Sequence, residues 1–351
     1  MDNINAIKSD ASITQCAELL NAEGKKICFV VTEAGVLEGV VTDSDIRRAI
    51  LNDVKMEAPV SQIMNAKPIC RSPFDDDEQI KLEVDRLGIQ AIPIVDEGRR
   101  IVKIVYGSFI EQQAVDNTTV FIQAGGFGTR LGELTKETPK PMLKIDGTPM
   151  LERMLEYFKK QGFSNFIIST YYLAEKITSH FGDGSKFGVT IKYTKEETPL
   201  GTAGALSLLH DHSSLKDNLI IVNGDVLTNI DFRKLAHHHL ESNAEVTICV
   251  KEHNLSIPYG VCQIEEGHLV KIQEKPNYTF LVNTGIYVLK SQLIRQLVKN
   301  QAIDMPNFIT NLKEQNYKVK VYPIFEYWLD IGQPDEFKKA QTDLGIMEGN
   351  Q

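Results

Sequence analysis

The hydrophobic and polar positions in the first third of the chain repeat at an offset of 64 residues. Residues 30–42, VVTEAGVLEGVVT, then align with residues 94–106, IVDEGRRIVKIVY. Each copy has an apolar pair, a polar turn near a glycine and a second apolar run, and each follows a stretch with apolar residues at helical spacing. The pattern predicts two strand–helix–strand–strand–helix (βαββα) units, which we place at residues 1–56 and 57–116.

The pattern changes after residue 117, where strand-like apolar runs alternate with helical stretches such as PMLERMLEYFKKQG. The runs are TVFIQ, FIISTY, VTIKYT, NLIIVN, EVTICV, TGIYVL and KVKVYP. This alternation predicts an α/β domain over residues 117–351, with a Rossmann-like, mixed but mostly parallel sheet wrapped by helices. The polar segment EQQAVDNTT, residues 111–119, is expected to be the linker between this domain and the repeats.

Composition narrows the class of protein. Of the 351 residues, 42% are hydrophobic and 24% are charged, as in an ordinary globular protein. The net charge of −9 argues against nucleic acid as a partner. The negative charge is concentrated in residues 1–117, which contain 13 Lys and Arg and 20 Asp and Glu. No apolar run approaches the length that spans a membrane, the N-terminus does not resemble a signal peptide, and no membrane partner is expected.

The cysteines indicate a reducing compartment, because none of them forms a CxxC pair or has metal-ligand spacing. They are Cys16, Cys28, Cys70, Cys249 and Cys262. We therefore expect a cytoplasmic protein.

A glycine-rich loop follows the first strand of the α/β domain, in VFIQAGGFGTRLGELTKETPKPMLKIDGTPML (residues 120–151). Gly125, Gly126 and Gly128 would let backbone N–H groups approach phosphate oxygens. Arg130 and Lys140 supply cations for a polyphosphate. The spacing GxGxxxG and the absence of a ribose-binding acid disfavour a dinucleotide site, and the GK[ST] of a Walker loop is missing.

This stretch resembles the signature of the sugar-1-phosphate nucleotidyltransferases, and the similarity covers most of residues 118–345. These enzymes join a nucleoside triphosphate to a sugar 1-phosphate and release pyrophosphate. The resemblance implies catalytic roles for Arg130 and Lys140. It also implies nucleotide contacts from the loop residues Gln123, Ala124, Gly125, Gly126, Gly128 and Thr129. Two positions depart from the family pattern: Gln123 replaces an apolar residue, and Gly132-Glu133 replaces a pair that often includes proline.

Two aspartates match the family's metal ligands. Asp225 ends the strand-like run LIIVNGD, and Asp330 precedes a glycine turn in YWLDIGQP. Either could be an ordinary turn residue, but both occur in the expected order. Mg²⁺ held by one or two carboxylates would neutralise the repulsion between two polyanionic substrates, so we expect it as the cofactor. The reaction then needs no covalent intermediate, because the sugar phosphate oxygen attacks the α-phosphorus in line.

The segment KEETPLGTAGAL, residues 195–206, bears on the base. By resemblance this loop wraps the base, which implies nucleotide contacts from Glu196, Pro199, Gly201 and Thr202. A carboxylate of Glu196, or of the neighbouring Glu197, only accepts hydrogen bonds, and guanine presents two adjacent donors. The residues therefore favour GTP, although a solvated acidic pair is the plainer alternative.

The sugar 1-phosphate is matched by a later segment, IQEKPNY, which resembles the family segment that binds sugar hydroxyls and the sugar phosphate. That implies sugar-phosphate contacts from Glu274 and Lys275, with further matches at Gly260, Asn283 and Thr284. The run His237-His238-His239 is not expected to bind metal, because consecutive residues of a helix point in different directions.

The first repeat contains GVVTDSDIRRAI (residues 39–50), which resembles the adenosine-binding stretch of a CBS motif. That implies ribose contacts from Thr42 and Asp45. The two repeats then form a tandem CBS module, in which the second copy has Lys103, Tyr106 and Phe109 at the matching positions. The module is expected to bind one adenine nucleotide, or none and serve association. We expect a homo-oligomer.

The whole arrangement is similar to the CBS-containing glucosamine-1-phosphate guanylyltransferases of bacterial legionaminic acid synthesis. That resemblance implies GTP and a hexose 1-phosphate as substrates, and GDP-glucosamine as a product for a cell-surface or flagellar glycan. A mannose-1-phosphate guanylyltransferase or another NDP-sugar pyrophosphorylase is the nearest alternative. A non-catalytic nucleotide sensor and an oxidoreductase are the alternatives from other classes.

Overall fold

The computed structural model describes residues 4–22, 27–107, 111–209 and 215–343. Among these residues no helix is both long and apolar enough to cross a membrane. Phe109, one of the three residues at which the second repeat departs from the CBS pattern, lies outside the described part.

The N-terminal third has the repeat that its sequence predicts. The first repeat contains β1 (Ala6–Ile7), α1 (Ile13–Ala22), β2 (Ile27–Val31), β3 (Leu37–Thr42) and α2 (Asp43–Leu51). The second contains α3 (Asp77–Leu87), β4 (Ala91–Val95), β5 (Ile101–Tyr106) and α4 (Glu111–Asp116). The bounds of β4 and β5 are those of β2 and β3 shifted by 64 residues, and a bulge follows Val30 in one hairpin and Ile94 in the other.

Among its described residues, the second repeat has no counterpart of β1 as a full strand. A single parallel bridge from Arg71 to Ile94 stands where Ile7 pairs with Val30 in the first repeat. The two hairpins pack face to face through Phe29 and Ala91 in a shared core. Packing of this kind buries one face of each small sheet, so neither repeat needs a large core of its own.

The rest of the chain forms the α/β unit. Its strands are β6 (Thr118–Gln123), β7 (Lys144–Ile145), β8 (Thr148–Pro149), β9 (Asn165–Thr170), β10 (Thr190–Lys195), β11 (Asn218–Asn223), β12 (Val226–Thr228), β13 (Val246–Ser256), β14 (Val261–Glu265), β15 (His268–Gln273), β16 (Asn277–Lys290), β17 (Val319–Ile324) and β18 (Trp328–Asp330). Its helices are α5 (Met150–Lys160), α6 (Ala174–Phe181), α7 (Gly201–Gly204), α8 (Phe232–Glu241), α9 (Met305–Glu314) and α10 (Pro334–Thr342).

Seven strands form the central sheet, in the order β10-β9-β6-β11-β16-β13-β17. These are the seven apolar runs of the sequence, and only β16 among them runs antiparallel to its neighbours. The inner strands β6, β9 and β11 are continuous apolar runs because both of their faces are covered, whereas the edge strand β10 has exposed polar residues. In β11, Ile220 packs in the core on one face, and Leu219 and Ile221 pack in the core on the other. The predicted mixed, mostly parallel α/β fold is confirmed.

The segment expected to be a polar linker is instead the helix α4. Ala114 and Val115 are buried in the core of the α/β unit, and the Thr118 hydroxyl donates to the Ala114 carbonyl. Thr118 and Thr119, which end the segment, are also buried, at the start of β6. The polar composition of EQQAVDNTT therefore does not show that part of it packs in the α/β unit. The domain limits at residues 56 and 116 stay predictions.

Helix α2 of the first repeat is held on the α/β unit by a buried arginine. Arg47 is only 5% exposed, and its guanidinium donates to the Pro323 carbonyl and to the Glu326 carboxylate, both at 2.5 Å. The same guanidinium lies 4.1 Å from the ring centroid of Tyr322. The repeat and the α/β unit therefore share a buried charge pair.

Candidate active site

The candidate site lies where neighbouring parallel strands end. Strands β6 and β11 pair in parallel up to Gln123 and Asn223, so the glycine loop after one and Asp225 after the other emerge side by side. This is the edge of an α/β sheet at which ligands bind. A cavity of about 260 Å³ opens there.

The cavity brings together most of the predicted nucleotide and catalytic residues. Those that line it are Gln123, Gly125, Gly126, Lys140, Glu196, Pro199, Gly201, Thr202 and Asp225. Four predicted residues lie behind or beside it. Ala124 is buried and its amide donates to the Ser169 carbonyl, whereas Gly128, Thr129 and Arg130 follow in the loop and are not among the lining residues.

Two glycines of the loop are required by packing. Gly128 has a φ of 65°, and a Cβ there would stand 2.9 Å from the Thr135 side chain. A Cβ on Gly125 would stand 2.8 Å from a carboxylate oxygen of Glu196. At Gly126, by contrast, a Cβ would meet no atom within 4 Å. The open space that the prediction requires for phosphate is therefore beside Gly126.

A lysine and an aspartate form the polar centre of the cavity. Lys140 is only 8% exposed, and its ammonium donates to Oδ2 of Asp225. The other oxygen of that carboxylate, Oδ1, is buried and has no hydrogen-bond partner among the described residues. An unpaired buried carboxylate oxygen is costly, so this atom calls for a cation or a donor from a ligand.

Asp330 is brought beside Asp225 by two three-residue strands. β12 and β18 pair antiparallel with Val226 opposite Asp330, and the Ile331 amide donates to the Asp225 carbonyl at 3.0 Å. Burial raises the pKa of Asp330, and the charge of Asp225 raises it further, against the opposing effect of Lys140. Two carboxylates that repel each other beside an unpaired oxygen fit a divalent cation.

Asp225 and Asp330 would be the two protein ligands of such a metal. Within the described ranges no group of three or more His, Cys, Asp or Glu side chains could hold an ion. Mg²⁺ typically keeps several waters and takes one or two carboxylates together with substrate phosphates. The donor set therefore fits a metal that is completed by the substrate.

Arg130 lies at the edge of this centre. Its side chain is exposed, and its guanidinium is 3.6 Å from where a Cβ of Gly332 would stand, two residues after Asp330. It also lowers the pKa of Asp330 to a small extent through its charge. An exposed cation next to the two carboxylates is available for a leaving phosphate.

The loop predicted to hold the base is built around Glu196. Its carboxylate is buried and accepts from the Ser169 hydroxyl and the Leu200 amide, both at 2.9 Å. Glu197 is exposed and does not line the cavity. Both oxygens of Glu196 thus already hold the loop in place, which the sequence argument did not foresee.

Gln123, unlike Glu196, has a side-chain oxygen without a hydrogen-bond partner among the described residues. Its amide nitrogen donates to the Thr202 carbonyl, and its Oε1 is buried without a partner among the described residues. Oδ1 of Asn223, at the end of the neighbouring strand, is buried and unpaired in the same way. Asn223 was missed, although its place directly before Gly224-Asp225 was a usable signal.

None of the predicted sugar-phosphate residues is among the residues that line this cavity. Gly260, Glu274 and Lys275 belong to the turns around the hairpin β14–β15, and a Cβ on Gly260 would stand 2.9 Å from a Glu274 oxygen. Asn283 donates to the Tyr287 hydroxyl at 2.7 Å, and Thr284 is buried with its hydroxyl donating to the Cys249 carbonyl. Asn283 is exposed like the first three residues, and only Thr284 is buried.

The three consecutive histidines have different surroundings. His237 lies 3.1 Å from Glu241, and burial lowers the pKa of His238. His239 is buried against the Thr247 hydroxyl at 2.8 Å, and burial lowers its pKa to about 4.

In the first repeat, the two predicted adenosine contacts bond to each other. The amide and the hydroxyl of Thr42 both donate to Oδ2 of Asp45, at 2.9 and 2.7 Å. Asp45 thereby caps the start of α2. Whether these residues also contact a ligand stays a prediction.

Comparison with known proteins agrees with this geometry. A CBS domain model matches residues 1–52, and the nucleotidyl transferase family model matches residues 119–345. The chain is 31% identical over 227 residues to the D-glycero-alpha-D-manno-heptose 1-phosphate guanylyltransferase of Aneurinibacillus thermoaerophilus. That alignment covers 64% of this chain and 96% of the relative.

A second relative is the mannose-1-phosphate guanylyltransferase of Mycobacterium tuberculosis, 30% identical over 238 residues, with 66% of each chain covered. Among solved structures, HddC from Yersinia pseudotuberculosis has a TM-score of 0.52 and 28% identity, over 64% of this chain and 99% of that chain. The family match spans well over half of the sequence and contains the glycine loop, the lysine and both aspartates. This protein belongs to the nucleotidyl transferase family.

Proposed function

We propose that the protein is a sugar-1-phosphate guanylyltransferase that joins GTP to a hexose 1-phosphate and releases pyrophosphate. The observation that supports this most is the composition of the cavity between β6 and β11. Its lining includes Gln123 and Asn223, each with a buried, unpaired side-chain oxygen, and it also includes Lys140 and Asp225. A ligand that donates hydrogen bonds at one end and carries phosphates at the other would satisfy both parts.

The unpaired acceptors favour guanine over uracil or thymine. Guanine offers N1–H and the N2 amine side by side, whereas a pyrimidine imide offers one N–H between two carbonyls that would repel these oxygens. The names of the relatives support the same base, because they act as heptose and mannose 1-phosphate guanylyltransferases. One relative at 30% identity is a UTP--glucose-1-phosphate uridylyltransferase of Synechocystis, so the base has to be measured.

The residues of the chain suit an in-line displacement. Open space beside Gly126 would admit the triphosphate, and Lys140 would hold its phosphates from a buried position. Arg130 would offset the charge of the departing pyrophosphate. Asp225 and Asp330 would hold Mg²⁺, which when bound neutralises charge on the phosphates. No nucleophilic side chain is needed, because the sugar phosphate oxygen is itself the nucleophile.

For the sugar we propose glucosamine 1-phosphate, with GDP-glucosamine as the product for legionaminic acid synthesis. Two observations support this sugar. The segment IQEKPNY resembles the family segment that binds sugar hydroxyls and the sugar phosphate, and the exposed carboxylate of Glu274 could pair with the amine of the sugar. Lys275 would then pair with the phosphate. Mannose and heptose 1-phosphates are the second candidates, since the curated relatives carry those names.

The test is pyrophosphate release with Mg²⁺ over a grid of GTP, ATP, UTP and dTTP against glucosamine, mannose, glucose and heptose 1-phosphates. GTP with glucosamine 1-phosphate should give the strongest signal. Another sugar would overturn the substrate, and a preference for UTP or dTTP would overturn the base. If no pair of substrates released pyrophosphate while GTP binding was intact, the result would favour a non-catalytic sensor.

A further inference from the structure

The two proposed catalytic cations, Arg130 and Lys140, stand at the two ends of one surface segment, residues 131–139. A 3₁₀ helix, Thr129–Thr135, runs into this segment and breaks at Gly132, where φ is 57° and ψ is −122°. Most of the segment is exposed, at the residues Gly132, Glu133, Leu134, Lys136 and Glu137. Burial alone therefore does not fix the position of the segment or of the cations at its ends.

Two side chains from the neighbouring part of the sheet hold the middle of this segment. The Tyr172 hydroxyl donates to the Lys136 carbonyl at 2.8 Å, and the Lys176 ammonium donates to the Glu137 carbonyl. Both donors follow strand β9, since Tyr172 comes two residues after its end and Lys176 lies in the first turn of α6. Because peptide units are planar, hydrogen bonds to two consecutive carbonyls fix the direction of the chain at that point.

A stiff stretch of chain connects the two held carbonyls to Lys140. Only Thr138 and Pro139 separate Glu137 from Lys140, and Pro139 has a φ of −60°. Pro141 follows on the other side, so a proline ring restricts the backbone both before and after the lysine. A shift of the held carbonyls would therefore move the backbone of Lys140 with them.

Tyr172 also contacts the glycine loop. Its ring centroid lies 5.5 Å from that of Phe127, which lines the cavity between β6 and β11. Within the segment, the Thr135 hydroxyl donates to the Gly128 carbonyl of the same loop at 2.9 Å. Tyr172 thus contacts both parts of the chain that the proposed function places around the triphosphate.

We propose that Tyr172 and Lys176 are positioning residues, which hold residues 131–139 so that Lys140 faces the triphosphate. The inference rests on the proposed function, because that function gives Lys140 its role. Neither Tyr172 nor Lys176 lines the cavity between β6 and β11, so both act through the chain rather than on the substrate. Their loss should therefore lower turnover and leave the binding of the nucleotide nearly unchanged.

The experiment is steady-state pyrophosphate release by the full chain, with Mg²⁺ and the best substrate pair of the grid. Tyr172→Phe keeps the ring and removes the hydroxyl, and Lys176→Met removes the ammonium. Each should lower kcat about three- to tenfold, the effect of one lost hydrogen bond, while KM for the nucleotide changes less than about twofold. Lys176→Arg can donate to the same carbonyl and should recover most of the loss. Both side chains are at least partly exposed, so the midpoint of urea denaturation should not change.

Two matched variants serve as controls. The Tyr193 hydroxyl donates to the Gly182 carbonyl at 2.7 Å, and the Lys318 ammonium donates to the Ser242 carbonyl. Tyr193→Phe and Lys318→Met lose the same two kinds of hydrogen bond outside the segment, so both should keep the kcat of the unmodified chain.

A double-mutant cycle with Lys140→Met separates positioning from a general structural role. If Tyr172 acts through Lys140, Tyr172→Phe should have no further effect in the Lys140→Met background, whereas independent effects would multiply. The inference is overturned by an undiminished kcat in Tyr172→Phe and Lys176→Met, by losses that multiply in the cycle, or by equal losses in the two controls. If the unmodified chain releases no pyrophosphate from any substrate pair, the proposed function fails and this inference fails with it. An active chain with insensitive variants overturns this inference alone.

Discussion

The ion pair between Arg47 and Glu326 predicts a large and recoverable loss of stability. Both side chains are at most 7% exposed, and Glu326→Leu would leave the guanidinium buried with Asp43, 3.6 Å away, as its nearest remaining carboxylate. Breaking one partner of a buried pair costs about 3–5 kcal/mol, most of which is the desolvation of the charge left behind. Glu326→Leu should therefore lower the free energy of unfolding by about that amount.

The double variant Arg47→Met, Glu326→Leu should recover much of this loss, because it leaves no uncompensated charge. Urea denaturation of the four proteins of the cycle measures the coupling energy, which should be at least about 2 kcal/mol. Lys8 and Glu33 provide the control, since they form an exposed pair at 59% and 86% exposure, and Glu33→Leu should cost less than about 1 kcal/mol. The reasoning would be refuted if Glu326→Leu lost no more free energy of unfolding than Glu33→Leu. It would also be refuted if the double variant lost as much as the two single variants added together.

The pH dependence of the pair follows from the pKa of Glu326. Burial alone would raise that pKa, but the charge and hydrogen bonds of Arg47 lower it overall. Because the pKa in the folded state lies below its unfolded value of 4.5, the pair stabilises the protein above that pH. Its contribution is lost as the pH falls through the lowered pKa, so the unmodified protein and the double variant should converge in acid.

Three further predictions concern the active site and the core. Lys140→Met should lower pyrophosphate release about 10²- to 10³-fold with the fold retained, whereas Lys144→Met, at an exposed neighbouring lysine, should not. Gly125→Ala should cost about 1–3 kcal/mol in urea denaturation, because its Cβ would lie 2.8 Å from a buried carboxylate oxygen; Gly126→Ala, facing open space, should keep stability but impair turnover. Burial lowers the pKa of His239 to about 4, so its side chain is uncharged in the folded protein at neutral pH. The free energy of unfolding should therefore fall by about 2 kcal/mol from pH 6.5 to pH 5, and it should fall by less in His239→Gln.

The sequence predicted the parts of the fold that depend on long or repeated patterns. All seven strands of the central sheet were visible, because the inner strands contain buried apolar runs and the edge strands β10 and β17 contain apolar residues among exposed polar ones. The repeat was visible because two hairpins with the same bulge need the same order of apolar and turn residues. The repeat predicts a helix after β5, but the polar composition of EQQAVDNTT favours a linker at the residues where α4 lies.

The site was predictable in its residues and less so in its roles. Lys140, Asp225 and Glu196 do meet at one cavity, but periodicity could not show that β12 and β18, three residues each, bring Asp330 to Asp225. Nor could residue type show that Glu196 is already occupied by the Ser169 hydroxyl and the Leu200 amide. Hydrogen-bond satisfaction is a property of the folded chain, and it leaves the unpaired side-chain oxygen at Gln123 rather than at Glu196.

The contact between the first repeat and the α/β unit could not be predicted from the sequence for a similar reason. Arg47 stands in DSDIRRAI, where it resembles a solvated helix residue, and Glu326 stands 279 residues later beside aromatic residues. Only folding brings the two together and buries them, and Glu326 is then followed within four residues by Asp330 of the candidate metal pair. One short segment thus contains the partner of Arg47 at one end and Asp330 of the candidate metal pair at the other. A buried charge pair resists sliding because any displacement would expose an uncompensated charge to the apolar interior. The position of the repeats is therefore fixed relative to the strand that carries Asp330.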